Sequence, residues 1–170
     1  MKAFLSFGTL ALIAALLDQG VKQWAEAALP FHELVPLLPF LGLYRTYNTG
    51  VAFSLFSGSG AWGLLVMTVL VIGFVLFLAL RTEGHQRLAR AGFALVVGGA
   101  LGNLADRSIH GHVIDYVLFH TPVWSFAIFN LADAFITVGA GLVILDEIVL
   151  MRRQPQTSEE KTREAPQEPR

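Results

Sequence analysis

Four long apolar runs constrain what this chain can fold into, and they cover residues 3–24, 61–80, 88–104 and 126–151. A bilayer core about 30 Å thick is crossed by about 20 helical residues at a rise of 1.5 Å each. Only 15% of the residues are charged, whereas a soluble domain averages about 25%. The sequence therefore predicts an all-α integral membrane protein with four transmembrane helices.

The first run has a competing interpretation. Lys2, the apolar stretch behind it and the Ala-Glu-Ala of residues 25–27 imitate a cleavable secretory signal. However, Asp18 and Lys22 are four residues apart, which puts them on one helical face where they can pair. Cleavage would also leave three spans with mismatched charge topology. We therefore keep this run as the first transmembrane helix.

Basic residues predict the orientation, because cytoplasmic segments of membrane proteins carry an excess of Lys and Arg. The connection between the second and third runs holds several arginines, more arginines follow the fourth run, and Lys2 precedes the first. Both termini are therefore expected in the cytoplasm. Residues 25–60 and 106–125 carry only Arg45 and Arg107 as fixed positive charges, so they are expected on the outer side.

The C-terminal segment differs in composition from the rest. Residues 154–170 are rich in Pro, Gln, Glu, Thr and Arg and cannot bury enough apolar surface to offset the entropy lost on ordering. We predict a membrane-embedded domain over residues 1–153 and a disordered cytoplasmic tail over residues 154–170. The net charge of −1 gives no reason to expect a nucleic-acid partner.

Charged and amide side chains cluster at the predicted outer ends of the helices. A charge at a helix centre costs about 2.5–3.5 kcal/mol on insertion scales, so each one needs a partner or a function. The cluster comprises Asp18, Lys22, Asn48, Asn103, Asp106, Arg107, Asp115, Asn130 and Asp133. The predicted topology puts all of them towards one face of the membrane, where they form a single site.

The fourth run carries a polar stripe, since Asn130, Asp133 and Thr137 lie at i, i+3 and i+7. Such a stripe faces the bundle or a water-filled cavity, because lipid cannot satisfy it. A hydrogen-bonded contact between helices accounts equally well for Asn130 and Thr137. It accounts less well for Asp133, since an amide would do the same without the cost of a charge.

Asp115 lies in an apolar and aromatic segment that we predict to be a short loop after the third helix. It could simply cap a helix or face water. Close to Asp133 in a poorly hydrated site, the two carboxylates could not both stay ionised and would share a proton. One would then act as a general base that activates water, and the other as a general acid towards an amide.

Few other chemistries compete with this aspartate pair. The chain has no cysteine, which excludes thiolate catalysis and zinc–cysteine sites, and it has no serine–histidine arrangement or glycine-rich phosphate loop. Gly98, Gly99 and Gly102 are expected to let membrane helices pack closely. Asp106 and Arg107 are expected to form a structural ion pair or to contact lipid headgroups, and Arg107 could hold a substrate carbonyl or phosphate.

Five short motifs occur in order along the four runs and their connections. They are DQGVK at residues 18–22, NTGVAF at 48–53, GNLADR at 102–107, VIDY at 113–116 and FNLAD at 129–133. Together they resemble the D-Q-x-x-K, N-x-G-A-A-F, G-N-x-x-D-R, V-x-D-F and F-N-x-A-D patterns of the lipoprotein signal peptidases (signal peptidase II). Val51 and Tyr116 stand where the family has Ala and Phe, and neither change removes a reactive group.

The resemblance implies a bacterial inner-membrane aspartyl endopeptidase with a small extracytoplasmic β-rich element, here within residues 31–59. Its substrates would be prolipoproteins cut just before a diacylglyceryl-modified cysteine, its site would face the periplasm and contact membrane lipids, and globomycin would inhibit it. No metal or organic cofactor is implied. The family's catalytic aspartates correspond to Asp115 and Asp133. The residues implied to support or contact the site are Asp18, Lys22, Asn48, Asn103, Arg107 and Asn130.

Two other functions are compatible with the polar cluster. A metal-dependent membrane protease could use His110, His112, Asp106 and Asp115 as ligands, although their spacing matches no known motif. A non-enzymatic small transporter subunit could bind ions at the buried aspartates. Transporters place such sites at the bilayer midplane between repeats, and no repeat is visible in this sequence.

Overall fold

The computed structural model describes the backbone of residues 2–50 and 60–163, and the side chains within residues 5–50 and 62–151. Within these ranges the four predicted helices are present. They are α1 (Lys2–Ala28), α2 (Gly60–Arg81), α3 (Arg87–His110) and α4 (Leu131–Arg163). Each contains a segment long and apolar enough to cross a membrane. The prediction of a four-helix membrane protein is confirmed.

A four-stranded antiparallel sheet closes one end of the helices. Its strands are β1 (Leu34–Leu38), β2 (Leu41–Asn48), β3 (Val113–Thr121) and β4 (Trp124–Ser125), paired in the order β1-β2-β3-β4. The predicted β-rich element within residues 31–59 is therefore only half of the sheet. Its other half comes from the α3–α4 connection, and residues 51–59 lie outside the described part of the chain.

Asp115 lies on a strand, so its prediction as a loop residue was wrong. The segment 113–121 is rich in β-branched and aromatic residues, a composition that favours a strand with a buried face. Thr46 of β2 is the register partner of Asp115. The strand also joins the sheet to the helices, because Ile114 and Tyr116 pack against Ala25 of α1.

Helix α3 is the centre of the bundle, and α1, α2 and α4 each pack on it. Small residues allow this close approach. A Cβ on Gly98 would collide with the backbone of Ala11, and one on Gly99 would collide with the carbonyl of Ala132. The predicted packing role of these two glycines is confirmed. The outer surface of α2 is apolar and exposed, as lipid requires, with Leu70 67% and Phe74 61% accessible.

Two features of α4 differ from the sequence predictions. Its backbone is helical to Arg163, beyond the predicted boundary at Arg153. Gln, Glu, Lys and Arg favour helix without burying apolar surface, whereas the prediction considered burial alone. The division into a domain and a disordered tail stays a prediction. Thr137 is exposed and donates to the carbonyl of Asp133 in its own helix, so it does not join α4 to another helix.

The contact between α3 and α4 generates a test of the packing. A Cβ on Gly139 would lie 2.5 Å from the carbonyl oxygen of Gly92, and a Cβ on Gly92 would lie 2.5 Å from the carbonyl oxygen of Gly139. We expect Gly139→Ala to lower the free energy of unfolding by about 1–3 kcal/mol through overpacking, measured by thermal unfolding in detergent. Gly141→Ala is the matched control on the same helix, because no atom lies within 4 Å of its Cβ position. Equal stability of the two variants would contradict this packing.

Candidate active site

A buried lysine holds two aspartates together where α1 meets α3. The Nζ atom of Lys22 lies 2.8 Å from Asp18 Oδ2 and 2.8 Å from Asp106 Oδ2, and it donates to Asn103 Oδ1 at 2.8 Å. Asp18, Lys22 and Asp106 are almost fully buried. The predicted pairing of Asp18 with Lys22 is confirmed, whereas the predicted Asp106–Arg107 ion pair is wrong, since Lys22 is the partner of Asp106. Three acceptors use the three protons of the ammonium group.

The first turn of α4 is held by acceptors from three parts of the chain. The first N–H groups of a helix have no partner within it. Leu131 N–H donates to the hydroxyl of Tyr116 at 3.1 Å, and Ala132 N–H donates to Asp18 Oδ1 at 2.9 Å. Asp133 N–H donates to Asn130 Oδ1 at 3.0 Å. Strand β3, helix α1 and the residue before α4 therefore all hold the same helix end.

Asn130 and Asp133 form a reciprocal capping box, which fixes the direction of the Asp133 carboxylate. While Asn130 Oδ1 accepts the Asp133 N–H, Asp133 Oδ2 accepts the Asn130 N–H at 3.2 Å. Asn130 therefore precedes α4 as its N-cap residue and is not part of a helical stripe. The other oxygen of Asp133 accepts from Asn103 Nδ2 at 2.9 Å.

Asp115 is held by two amides. Its Oδ1 accepts from Asn130 Nδ2 at 2.6 Å, and its Oδ2 accepts from Asn48 Nδ2 at 3.0 Å. The side chain of Asn130 thus contacts Asp115 while its backbone N–H contacts Asp133. A single residue joins the two carboxylates. The Asn48 oxygen also accepts the N–H of Gly50, whose positive φ of 78° favours glycine.

Burial sets the protonation of Asp115. Only 2% of the residue is exposed, and this desolvation raises the pKa of its carboxyl group to about 6. The hydrogen bonds from Asn48 and Asn130 lower the pKa, whereas the charge of Asp133 raises it further. Burial also raises the pKa of Tyr116 to about 12, so its hydroxyl stays protonated. A carboxyl group with a pKa near neutrality can serve as a proton donor or acceptor.

The guanidinium group of Arg107 lies within electrostatic range of Asp115 and Asp133. Its Nε atom is buried and has no hydrogen-bond partner among the described residues. A buried donor without a partner costs free energy, which is recovered when a ligand supplies an acceptor. Arg107 therefore brings a buried donor to the site, and no described residue satisfies it.

All the predicted site residues come together at one end of the bundle, but their roles stay predictions. The sequence reasoning missed Gln19 and Tyr116. Gln19 Nε2 donates to Asp106 Oδ1 at 2.7 Å and to the Gly102 carbonyl at 3.1 Å. Gly102 was expected to serve helix packing, and a Cβ there would collide with Asp18 Oδ2. The signal for Gln19 was its position inside the DQGVK motif, on the same helix as Asp18 and Lys22.

Histidine and carboxylate side chains do not gather into a metal site in the part of the chain that is described. His110 and His112, the proposed ligands of the alternative function, have ring centroids 5.8 Å apart. His112 instead lies against Tyr47, with ring centroids 4.0 Å apart, while Asp106 is bound to Lys22. The groups needed for the alternative thus have other partners.

Comparison with known proteins points to one protein family. The family described as signal peptidase (SPase) II matches residues 10–149. The lipoprotein signal peptidase of Mesorhizobium japonicum is 59% identical over 155 residues, which cover 91% of this chain and 92% of that protein. Those of Sinorhizobium fredii and Brucella ovis are 54% and 53% identical, each over 84% of this chain and over 86% and 89% of their own lengths.

Two solved structures of bacterial membrane enzymes, obtained by the in meso method, share the fold. One has a TM-score of 0.74 at 24% identity and covers 82% of this chain and 90% of that one. The other has a TM-score of 0.72 at 22% identity, with coverages of 97% and 94%. At this identity the likeness concerns the fold alone.

The buried ion cluster generates a prediction on stability. We expect Lys22→Met to destabilise the protein by about 3–5 kcal/mol, because Asp18 and Asp106 would be left as buried carboxylates without a counter-charge. The triple variant Asp18→Asn, Lys22→Met, Asp106→Asn should recover part of the loss, since no charge remains. Thermal unfolding in detergent measures both. If Lys22→Met alone unfolds like the wild type, the cluster does not support the fold as described.

Proposed function

Because the chain belongs to the signal peptidase II family, and is therefore a protease built on four membrane-spanning helices, we propose that it is an intramembrane aspartyl endopeptidase for prolipoproteins. Asp115 and Asp133 are its proposed catalytic pair. The observation that carries the proposal is that Asn130 contacts both carboxylates, through its side chain on one and its backbone on the other. Two carboxylates of like charge in one buried site can share one proton.

Different environments favour different roles for the two aspartates. The raised pKa of Asp115, about 6, lets this carboxyl group hold a proton at higher pH than an ordinary aspartate, so we assign it as the initial general acid. Asp133 accepts two N–H donors at the positive end of the α4 dipole, which suits an anion and a general base. Family resemblance fixes neither role, and the two titrate as a coupled pair.

The proposed reaction conserves protons. Asp133 removes a proton from a water molecule while the oxygen of that water attacks the scissile carbonyl carbon. At the same time Asp115 donates its proton to the carbonyl oxygen. Asp133 then passes its proton to the leaving nitrogen and the C–N bond breaks. As the carbonyl re-forms, the hydroxyl proton returns to Asp115. Arg107 is proposed to orient the substrate, because its buried Nε lacks a partner among the described residues.

The other polar residues are proposed to position the pair. Asn103 accepts from Lys22 and donates to Asp133, so it connects the buried ion cluster to the base. Asp18 fixes the end of α4 through the Ala132 N–H. These residues hold the catalytic atoms within the narrow geometry that amide hydrolysis needs, and they do not themselves exchange protons with the substrate.

The exposed surface of the sheet favours a substrate that stays anchored in the membrane. Several large apolar side chains on or beside its strands are exposed, namely Leu37, Phe40, Phe119, Val123, Trp124 and Phe126. Aromatic residues of this kind favour the membrane–water interface. We propose that this end faces the periplasm, that both termini are cytoplasmic and that the membrane is the bacterial inner membrane. A lipid-modified cysteine would then reach the carboxylates from the bilayer.

Replacing either aspartate tests the catalytic assignment. We expect Asp115→Asn and Asp133→Asn each to lower kcat by at least about 10²–10⁴-fold, because an amide cannot exchange the proton. Asp146→Asn is the matched control, since Asp146 is also a buried carboxylate on α4 but lies near the far end of its membrane-spanning segment, Leu131–Met151. Cleavage of a lipidated prolipoprotein by the purified variants is measured on gels. Near-normal turnover by either active-site variant would falsify the assignment.

The dependence of cleavage on pH tests the role of Asp115. Its proton is lost as the pH rises through its pKa, so kcat/KM should fall on the alkaline side of the profile. Asn48 donates to the ionised carboxylate and lowers that pKa. We therefore expect Asn48→Ala to move the alkaline limb to higher pH while retaining more activity than either aspartate variant. Thr46→Ala is the control, because the hydroxyl of Thr46 contacts His32 and not Asp115. This variant should leave the pH of the alkaline limb unchanged. A limb that stays fixed or moves to lower pH in Asn48→Ala contradicts this role.

The lipid on the substrate supplies a third test. Lipidated precursor should be cleaved, and the same precursor without diacylglycerol should not, at matched concentration in bilayers. Burial of an acyl chain contributes about 0.8 kcal/mol per CH₂, and part of it can orient the scissile bond. Equal cleavage of the two precursors would refute this substrate preference and would leave the aspartyl mechanism untouched.

A further inference from the structure

Tyr116 of β3 is bonded to the residues on both sides of Asn130. Its backbone N–H donates to the carbonyl oxygen of Phe129 at 3.1 Å, and its side-chain hydroxyl accepts the N–H of Leu131 at 3.1 Å. One bond comes from the backbone and the other from the side chain, so they are independent of each other. Asn130, which contacts both carboxylates of the proposed catalytic pair, is therefore held from either side by one strand residue.

The side chain of Tyr116 lies in a buried and apolar environment. Only 4% of the residue is exposed, and it packs with Ala25 and Leu29 of α1. Leu131 packs against the same cluster. A backbone N–H that loses its acceptor in such surroundings costs free energy. The hydroxyl of Tyr116 therefore stabilises the first residue of α4 at the point where this helix meets α1 and β3.

The chemistry of this hydroxyl suits a positioning role and not proton exchange. Burial, together with the nearby charges of Asp18, Asp115 and Asp133, raises the pKa of Tyr116 to about 12. The hydroxyl therefore stays neutral at every pH at which the carboxyl pair would work. Towards Leu131 it acts as an acceptor, so its effect on the reaction passes through the backbone that it holds.

We propose that Tyr116 is a positioning residue for the catalytic pair, and that it acts by fixing Asn130 between strand β3 and helix α4. The proposal rests on the aspartyl mechanism given above. Asn130 donates to Asp115 Oδ1 at 2.6 Å and exchanges capping bonds with Asp133, so a displacement of Asn130 changes the contacts of both carboxylates. Tyr116 stands where the family pattern has Phe, so the five shared motifs do not account for its hydroxyl.

Removing the hydroxyl tests this role in the purified full-length protein. Tyr116→Phe leaves the Leu131 N–H without its acceptor, so kcat for a lipidated prolipoprotein should fall by about tenfold or more through misplacement of the pair. KM should stay unchanged, because the buried hydroxyl is not a substrate contact. Tyr47→Phe is the control and should retain wild-type kcat, since it removes a tyrosine hydroxyl on β2 that donates to Glu26 at 3.0 Å. Wild-type kcat in Tyr116→Phe, or a change in KM alone, overturns the proposal.

The wild type separates this proposal from the one on which it rests. Absence of cleavage by the wild-type protein contradicts the proposed function itself. Cleavage by the wild type and by Tyr116→Phe at the same rate leaves the proposed function standing and contradicts only the role of Tyr116.

The pH profile distinguishes positioning from a merely structural role. Burial raises the pKa of Asp115, and the hydrogen bond from Asn130 opposes this rise. A weaker bond in Tyr116→Phe should therefore move the alkaline limb of kcat/KM to higher pH. The substitution changes none of the charged groups that reach Asp115 among the described residues, namely Lys22, Arg107 and Asp133. A lower Tm with an unmoved limb and wild-type kcat shows that the hydroxyl only stabilises the fold, which overturns the proposal.

A double-mutant cycle tests the bond itself. Leu131 is the first residue of α4, a position that accommodates proline, and proline has no N–H to donate. We expect Tyr116→Phe to lower kcat by about tenfold in the wild-type background but by less than about twofold in the Leu131→Pro background. An equal loss in both backgrounds shows that the hydroxyl does not act through Leu131, and overturns the proposal. If Leu131→Pro does not fold, the alkaline limb of Tyr116→Phe decides alone.

Discussion

The buried start of helix α4 is the constraint on which the rest of the structure depends. Asn130 and Ala132 are fully buried, and a buried N–H group without an acceptor costs free energy, so the first turn needs acceptors from the protein. Tyr116, Asp18 and Asn130 supply them from β3, α1 and the residue before α4. Each acceptor fixes one neighbour relative to this helix end. The proposed catalytic geometry results from the same bonds, because Asp133 is in that first turn.

One ammonium group connects this helix end to α3. Lys22 neutralises Asp18, which holds α4, and Asp106, which accepts the Ile114 N–H of β3 at 3.3 Å. Through Asn103 it also reaches Asp133. Structural and proposed catalytic carboxylates therefore belong to one network but have different partners. The structural pair is bound by a cation, whereas the proposed catalytic pair is bound by N–H donors of Asn48, Asn103 and Asn130.

Spacing and hydropathy predict the parts of this arrangement that depend on contacts between residues close in the sequence. The four apolar runs give the four helices, and the separation of Asp18 from Lys22 gives their ion pair. Contacts between distant segments are not encoded in this way. Helix geometry argues against an Asp106–Arg107 pair, because adjacent residues on a helix do not face each other. Nothing in the local sequence, however, identifies Lys22 as the partner of Asp106. The prediction of a loop at Asp115 is wrong because the partner of this part of β3 is Thr46 of β2, about 70 residues earlier.

The bond between Ala132 and Asp18 also determines when the molecule can become active. The two residues are 114 positions apart, and the chain is made from its N-terminus. Asp18, Lys22 and Asp106 can assemble as soon as α3 is complete, but the carboxylate of Asp133 and the cap that orients it arrive only with the last membrane helix. A nascent chain with three helices therefore lacks one of the two proposed catalytic carboxylates. On the proposed mechanism, hydrolysis can begin only once the last membrane helix has been made and Ala132 has reached Asp18.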